Sequence, residues 1–139
     1  LSLENDYLSN CAVAYLGKAF VYTQLKNPSL ADAFTNKAME IAYKLNDTLS
    51  IADIYKVKGM IQSNLENYEL SEEMFENSIR LNKDIESKLN EAESSAELGN
   101  LLQKNNRIIE AKPYLTAASN FFNGLKQEKL TAGLVEQSI

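Results

Sequence analysis

The sequence predicts an all-α solenoid of helix-turn-helix hairpins, and three observations carry that reading. The composition favours helix, a glycine returns at a period of about 40 residues, and each glycine is followed at a similar distance by a second amphipathic stretch.

The composition comes first. Leu, Ala, Glu, Lys and Asn predominate, 45% of the residues are hydrophobic, and only 5 Gly and 2 Pro interrupt 139 residues. Such a chain is poor in strand and turn formers and rich in helix formers. Its length and apolar content suffice for one domain, residues 1–139, without disulfide staples.

The period is the second observation. Gly17, Gly59 and Gly99 are spaced by 42 and 40 residues, each among apolar helix formers. A polar break follows each one: Lys26-Asn27-Pro28-Ser29, then Glu66-Asn67, then Lys104-Asn105-Asn106. A glycine inside a helix costs roughly 1 kcal/mol relative to alanine, so three at matched positions imply a shared reason, the close crossing of two helices.

The second helices supply the third observation. Ala31, Thr35 and Ala38, then Ser71, Phe75 and Ser78, then Ala111, Leu115 and Ala118 stand three and four residues apart, which is one helical face written three times. The small members let helix axes approach, and Phe75 or Leu115 fills the space between them. In the middle unit Ile51, Ile54, Tyr55, Ile61 and Leu65 trace the apolar stripe of the first helix, with the Lys58 stem lying along it. Asn27 before Pro28 suits an N-cap followed by the first helical position, and Asn67 is placed to cap the helix that carries Glu69 and Glu72. The units are expected at about 10–46, 50–83 and 90–123, with a terminal helix at about 125–138 covering the last hairpin, seven helices in all.

At this point the residues resemble a known family. Leu98-Gly99, Leu102, Ile108, Ala111, Leu115 and Ala118 sit at the spacing of the tetratricopeptide repeat, and Tyr68, Ser71, Phe75 and Ser78 repeat it in the middle unit. The first unit offers Leu16-Gly17 and Phe20, with two extra residues in its turn; Lys58 replaces the leucine expected before Gly59, and no unit has the signature tryptophan. The period exceeds the usual 34 by about six residues, which implies helices longer by more than a turn. The resemblance implies a right-handed solenoid whose first helices line a concave, peptide-receiving groove.

Chemistry is nearly absent. The chain has no histidine, which removes Ser-His-Asp and Cys-His arrangements and most transition-metal sites. Glu69, Glu72, Glu73 and Glu76 form a carboxylate face that reads as solvated, and the isolated glycines build no phosphate loop. The expectation is a protein that is not an enzyme and has no cofactor or metal. The formal charge is −5, concentrated in residues 66–97, which carry ten acidic against three basic side chains. An acidic chain lacks the electrostatic term that drives nucleic-acid binding, and it is repelled by anionic lipid.

No run approaches the roughly 18 apolar residues that span a bilayer, so membrane insertion is not expected. Cys11 is the single cysteine, so no internal disulfide forms and the cytoplasm is the expected compartment. The start at Leu1, without an initiator Met, leads to the expectation of a piece of a longer protein.

Taking each glycine as the phase marker places the groove at five positions per unit. They are Cys11, Ala14, Lys18, Val21 and Tyr22; then Asp53, Lys56, Met60, Ser63 and Asn64; then Glu93, Ala96, Asn100, Gln103 and Lys104. The expected peptide-binding set is Lys18, Tyr22, Lys56, Met60, Asn64, Asn100, Gln103 and Lys104. The amides offer donors and acceptors to a peptide backbone, and the lysines favour a partner with some negative charge. Ala14 and Lys18, with Glu93 and Glu97, depart from the family's chaperone-tail clamp, whose cationic positions hold a C-terminal carboxylate. The expected function is a scaffold that binds a protein or peptide. The alternative is a peptide-sensing domain that controls an attached DNA-binding or kinase domain. Self-association through an uncapped end stays open.

Overall fold

The computed structural model describes residues 2–137. They form six helices: α1 (Ser2–Gln24), α2 (Pro28–Lys44), α3 (Thr48–Asn64), α4 (Tyr68–Asp84), α5 (Lys88–Lys104) and α6 (Ile108–Gln137). The four middle helices are each 17 residues long, about 25 Å at 1.5 Å per residue. Consecutive helices pack as antiparallel neighbours. In addition α1 touches α3 and α3 touches α5, while α2, α4 and α6 make no contact with one another. The odd-numbered helices therefore form a close inner row and the even-numbered ones fan out behind them, so the inner row lines the concave side of the solenoid.

One turn, used five times, sets this geometry. Lys26, Asn46, Glu66, Glu86 and Asn106 all have positive φ, between 52° and 64°, at intervals of 20 residues. The amide of the following residue reaches back five positions, as from Asn27 to the Tyr22 carbonyl and from Asn67 to the Gln62 carbonyl, both at 2.9 Å. Those bonds satisfy carbonyls that the helix end would leave unpaired, and they offset the cost of a left-handed residue that is not glycine. Asn27 Oδ1 accepts from the Leu30 amide and Asp47 Oδ1 from the Ser50 amide, as helix caps. Asn67 occupies the N-cap position of α4, but its side chain donates to Gln62 Oε1 instead of accepting from the helix.

The 20-residue interval makes the hairpin period 40 throughout and moves the first unit into a new register. Counting back 40 from Gly59 gives Ala19, not Gly17. Ala19 is fully buried, whereas an added Cβ on Gly17 would meet nothing within 4 Å. No extra residues are inserted in the first turn; the glycine was simply not the equivalent position. Gly17→Ala is accordingly expected to raise stability by roughly 0.5–1 kcal/mol through helix propensity alone. Chemical denaturation checks it, and a loss of stability would mean that Gly17 is packed after all.

The slot beneath the true marker explains the small residues. On Gly59 a Cβ would come within 2.5 Å of the Phe75 ring, and on Gly99 within 2.6 Å of Leu115. The first hairpin fills the same two positions with Ala19 and Thr35, both fully buried. A larger residue on the inner helix is thus matched by a smaller one on the outer helix. Ser71 Oγ donates to the Gly59 carbonyl at 2.6 Å, tying α4 to α3 where the axes come closest.

The separate terminal helix expected at about 125–138 does not occur. α6 runs unbroken from Ile108 to Gln137, and position 138 lies outside the described residues, so the described residues hold six helices and not seven. Each of the five observed turns has Asn, Asp or Ser at its second or third residue. Leu125-Lys126-Gln127 falls on the same 20-residue beat but has none of them, so helical hydrogen bonding continues through it.

Candidate functional site

The inner row presents a groove with two halves. Where the inner helices end, Thr23, Gln24 and Lys26 of α1 and its turn, Met60, Ser63 and Asn64 of α3, and Glu97, Asn100 and Lys104 of α5 surround a cavity of about 270 Å³. Phe75 and Leu101, both buried, close its floor. Nearer the helix starts, Val13, Leu16, Gly17 and Phe20 of α1 face Asp53, Lys56 and Val57 of α3 across a more apolar cleft of about 370 Å³.

The structure brings together Lys56, Met60, Asn64, Asn100 and Lys104 from the expected set, with Lys56 in the cleft and the other four around the cavity. Gln103 is exposed on α5, outside both lining sets. Lys18 and Tyr22 are corrections. Tyr22 stacks on Phe34 of α2 with ring centroids 5.7 Å apart, and Lys18 Nζ lies 5.4 Å from the centroid of the same ring. Both therefore sit on the α2 side of α1, because the two-residue register error rotated that helix by about 200°. Thr23, Gln24, Val13 and Phe20 take the groove positions they were assigned. The expectation of a free cationic surface also changes. Lys56 Nζ is 3.8 Å from the Glu93 carboxylate and Lys104 Nζ lies 5.8 Å from the Tyr68 ring centroid. Asn64 Nδ2 donates to the Thr23 carbonyl at 3.0 Å, which bridges α3 to α1 at the cavity wall.

The groove's carboxylates are perturbed. Burial pushes Asp53 and Glu97 above their ordinary values; Lys56 pulls each of them back and Glu93 adds to the rise. A raised folded-state pKa means the folded chain takes up the proton before the unfolded chain does. The destabilisation by Glu97 is therefore full above its folded pKa and disappears below the ordinary 4.5. Glu97→Gln is expected to raise the melting temperature at neutral pH, with the gain closing as pH falls through that window. Thermal melts at several pH values test this, and a gain independent of pH would contradict it.

On the outer side Arg107 forks onto Glu72, with Nη1 2.6 Å from Oε2 and Nη2 3.1 Å from Oε1, and also pairs with Glu110. The acidic face expected on α4 is thus partly neutralised by the α5–α6 turn. Among the described residues no helix is long and apolar enough to cross a membrane, and no group of acidic or cysteine side chains is arranged to hold a metal.

Residues 52–85, which span most of α3 and all of α4, match the family model of the tetratricopeptide repeat. The chain carries a tetratricopeptide repeat. Six consecutive helices at a 20-residue spacing extend it into a tetratricopeptide-like array, a protein-interaction scaffold of a type that is typically non-catalytic. No curated protein matches the sequence significantly.

Proposed function

We propose that this tetratricopeptide array binds a protein partner through an extended peptide segment laid across α1, α3 and α5. The observation that supports it best is the cavity in which amides from three helices, Gln24, Asn64 and Asn100, converge above the Met60 side chain. Amides carry both donor and acceptor and suit a peptide backbone, while Met60 adapts to varied side chains. The carboxylates of Asp53, Glu93 and Glu97 cluster about Lys56 and outnumber it there, while Lys26 and Lys104 also line the cavity, so the segment directs a basic side chain at the acidic cluster. That adds a basic residue to the negative charge expected from the lysines in the sequence. No catalytic role is assigned to the chain, and the lone thiol of Cys11 is in keeping with a cytoplasmic setting.

The test is selection from a displayed random-peptide library, with the whole chain as bait. Enriched sequences should carry Lys or Arg. Asn64→Ala with Asn100→Ala should weaken the selected peptides by about tenfold or more, two hydrogen bonds being worth roughly 1–3 kcal/mol together. Equal binding by the double variant would remove the amides from the site.

A further inference from the structure

The two junctions between hairpins use equivalent positions but different chemistry. Beside the Asn46 turn, Ala38 and Ala42 of α2 meet Ile51 and Ile54 of α3 in one apolar cluster. Forty residues on, beside the Glu86 turn, Ser78 and Asn82 of α4 and Ser94 of α5 replace Ala38, Ala42 and Ile54, and all three are 1% exposed or less. Ser78 Oγ and Ser94 Oγ lie 2.7 Å apart, and Asn82 Nδ2 reaches Ser78 Oγ only at a long 3.4 Å. Among the described residues, Asn82 Oδ1 is the buried side-chain atom left without a hydrogen-bond partner. A buried amide satisfied at one end favours any motion that admits water to it, whereas an apolar cluster resists such motion.

The inner face of the same junction is ill-matched as well. Asp53 and Lys56 of α3 stand near Glu93 and Glu97 of α5, all half-buried, three carboxylates to one ammonium, with Lys56 Nζ 3.8 Å from Glu93. Between α1 and α3 the equivalent positions hold Val13, Leu16, Asp53 and Val57, a single carboxylate. Both weaknesses lie toward the start of α5. Toward its end that helix is held firmly, where Leu98, Leu101 and Leu102 pack with Phe75 and Ile79 of α4.

We propose that the start of α5, residues 88–95, swings away from α3 and α4 on a pivot formed by the Phe75 cluster, and that a basic side chain bound between Asp53 and the Glu93 and Glu97 carboxylates draws it back. The swing stands on the buried seam and the charge imbalance alone; the clasp rests on the function proposed above. Met60 and Asn64 of α3 face Glu97, Asn100 and Lys104 of α5 across the groove, so the swing sets the width of the groove at this end. A ligand that bridges the carboxylates on both helices binds the closed form better and shifts the population toward it.

Native-state hydrogen exchange of the whole chain, followed by NMR, reads the swing directly. Corrected for intrinsic rates, the amides of residues 91–95 should exchange about tenfold or more faster than their equivalents at 51–55. Asn82→Leu puts an apolar side chain of similar size into the seam and should slow exchange at 91–95 far more than at 51–55. Equal protection of the two segments in the wild-type chain overturns the swing, whether or not the variant folds. So does a folded Asn82→Leu chain that exchanges at the wild-type rate. A library-selected Lys- or Arg-bearing peptide, added to the wild-type chain, should restore protection at 91–95. A peptide that binds and leaves those amides unprotected overturns the clasp without touching the peptide-binding reading. A selection that yields no basic peptide overturns both of these, and the wild-type rates still decide the swing.

Discussion

Phe75→Ala is expected to lower stability by roughly 3–5 kcal/mol, a loss large enough to threaten folding of the array. Phe75 is 1% exposed and packs in the largest core cluster with Ile79, Leu98, Leu101, Leu102 and Ala111. It joins α4 to both inner helices it touches: its ring covers Gly59 on α3, and its cluster reaches Leu98 and Leu102 on α5. Truncation leaves a cavity where three helices meet, and the ties at Ser71 and Gly59 limit how far α4 can collapse into it. Urea denaturation measures the loss; a change under about 1 kcal/mol would mean that α4 can close the gap.

Gly59→Ala fills the same slot from the other side and is expected to cost roughly 1–3 kcal/mol, despite the gain of up to about 1 kcal/mol that alanine brings to a helix. The new methyl would lie 2.5–2.9 Å from three ring atoms of Phe75, a fully buried side chain with little room to turn. The two substitutions share one volume, so their effects should not add. In Gly59→Ala combined with Phe75→Thr, the pairing found at Ala19 and Thr35, the loss should fall short of the sum of the single losses. Additive losses, read from the same denaturation curves, would deny that the slot is shared. Together with the opposite sign expected for Gly17→Ala, this separates the packed glycine from the incidental one.

The fold was legible because its signals are local and repeated. The faces at Ala31, Ser71 and Ala111 recur every 40 residues, and the breaks fall at polar residues able to hold a left-handed turn or cap a helix. What misled was Gly17, a glycine next to the phase marker and not on it. The outer helices already stated the true period, since 31, 71 and 111 leave no space for a two-residue insertion, and applying it to α1 yields Ala19. That shift of two residues decides which side of a helix faces the groove, so it cost Lys18 and Tyr22 their places and hid Val13, Phe20, Thr23 and Gln24.

The groove on α3 and α5 was legible for the same reason the outer helices were: Gly59 and Gly99 are both true markers, and Lys56, Met60, Asn64, Asn100 and Lys104 fall where they were placed. Its electrostatics were not legible. Spacing shows that Lys56 lies on the inner face, but the approach of Glu93, which turns that lysine from a free charge into a paired one, depends on how closely α3 and α5 stack. The fused α6 was hidden for a converse reason. Leu125-Lys126-Gln127 keeps the beat of the repeat and lacks only the side chains that break a helix.

The concave groove is the central claim, and backbone amide NMR of the chain titrated with a library-selected basic peptide tests it most directly. The expected result is saturating shifts at Gln24, Asn64, Asn100 and Lys104, with Asp53 and Glu97 following the basic side chain, and little change at the outer residues Tyr43 and Arg80. Shifts confined to the outer helices, with the α1, α3 and α5 groove silent, would contradict it.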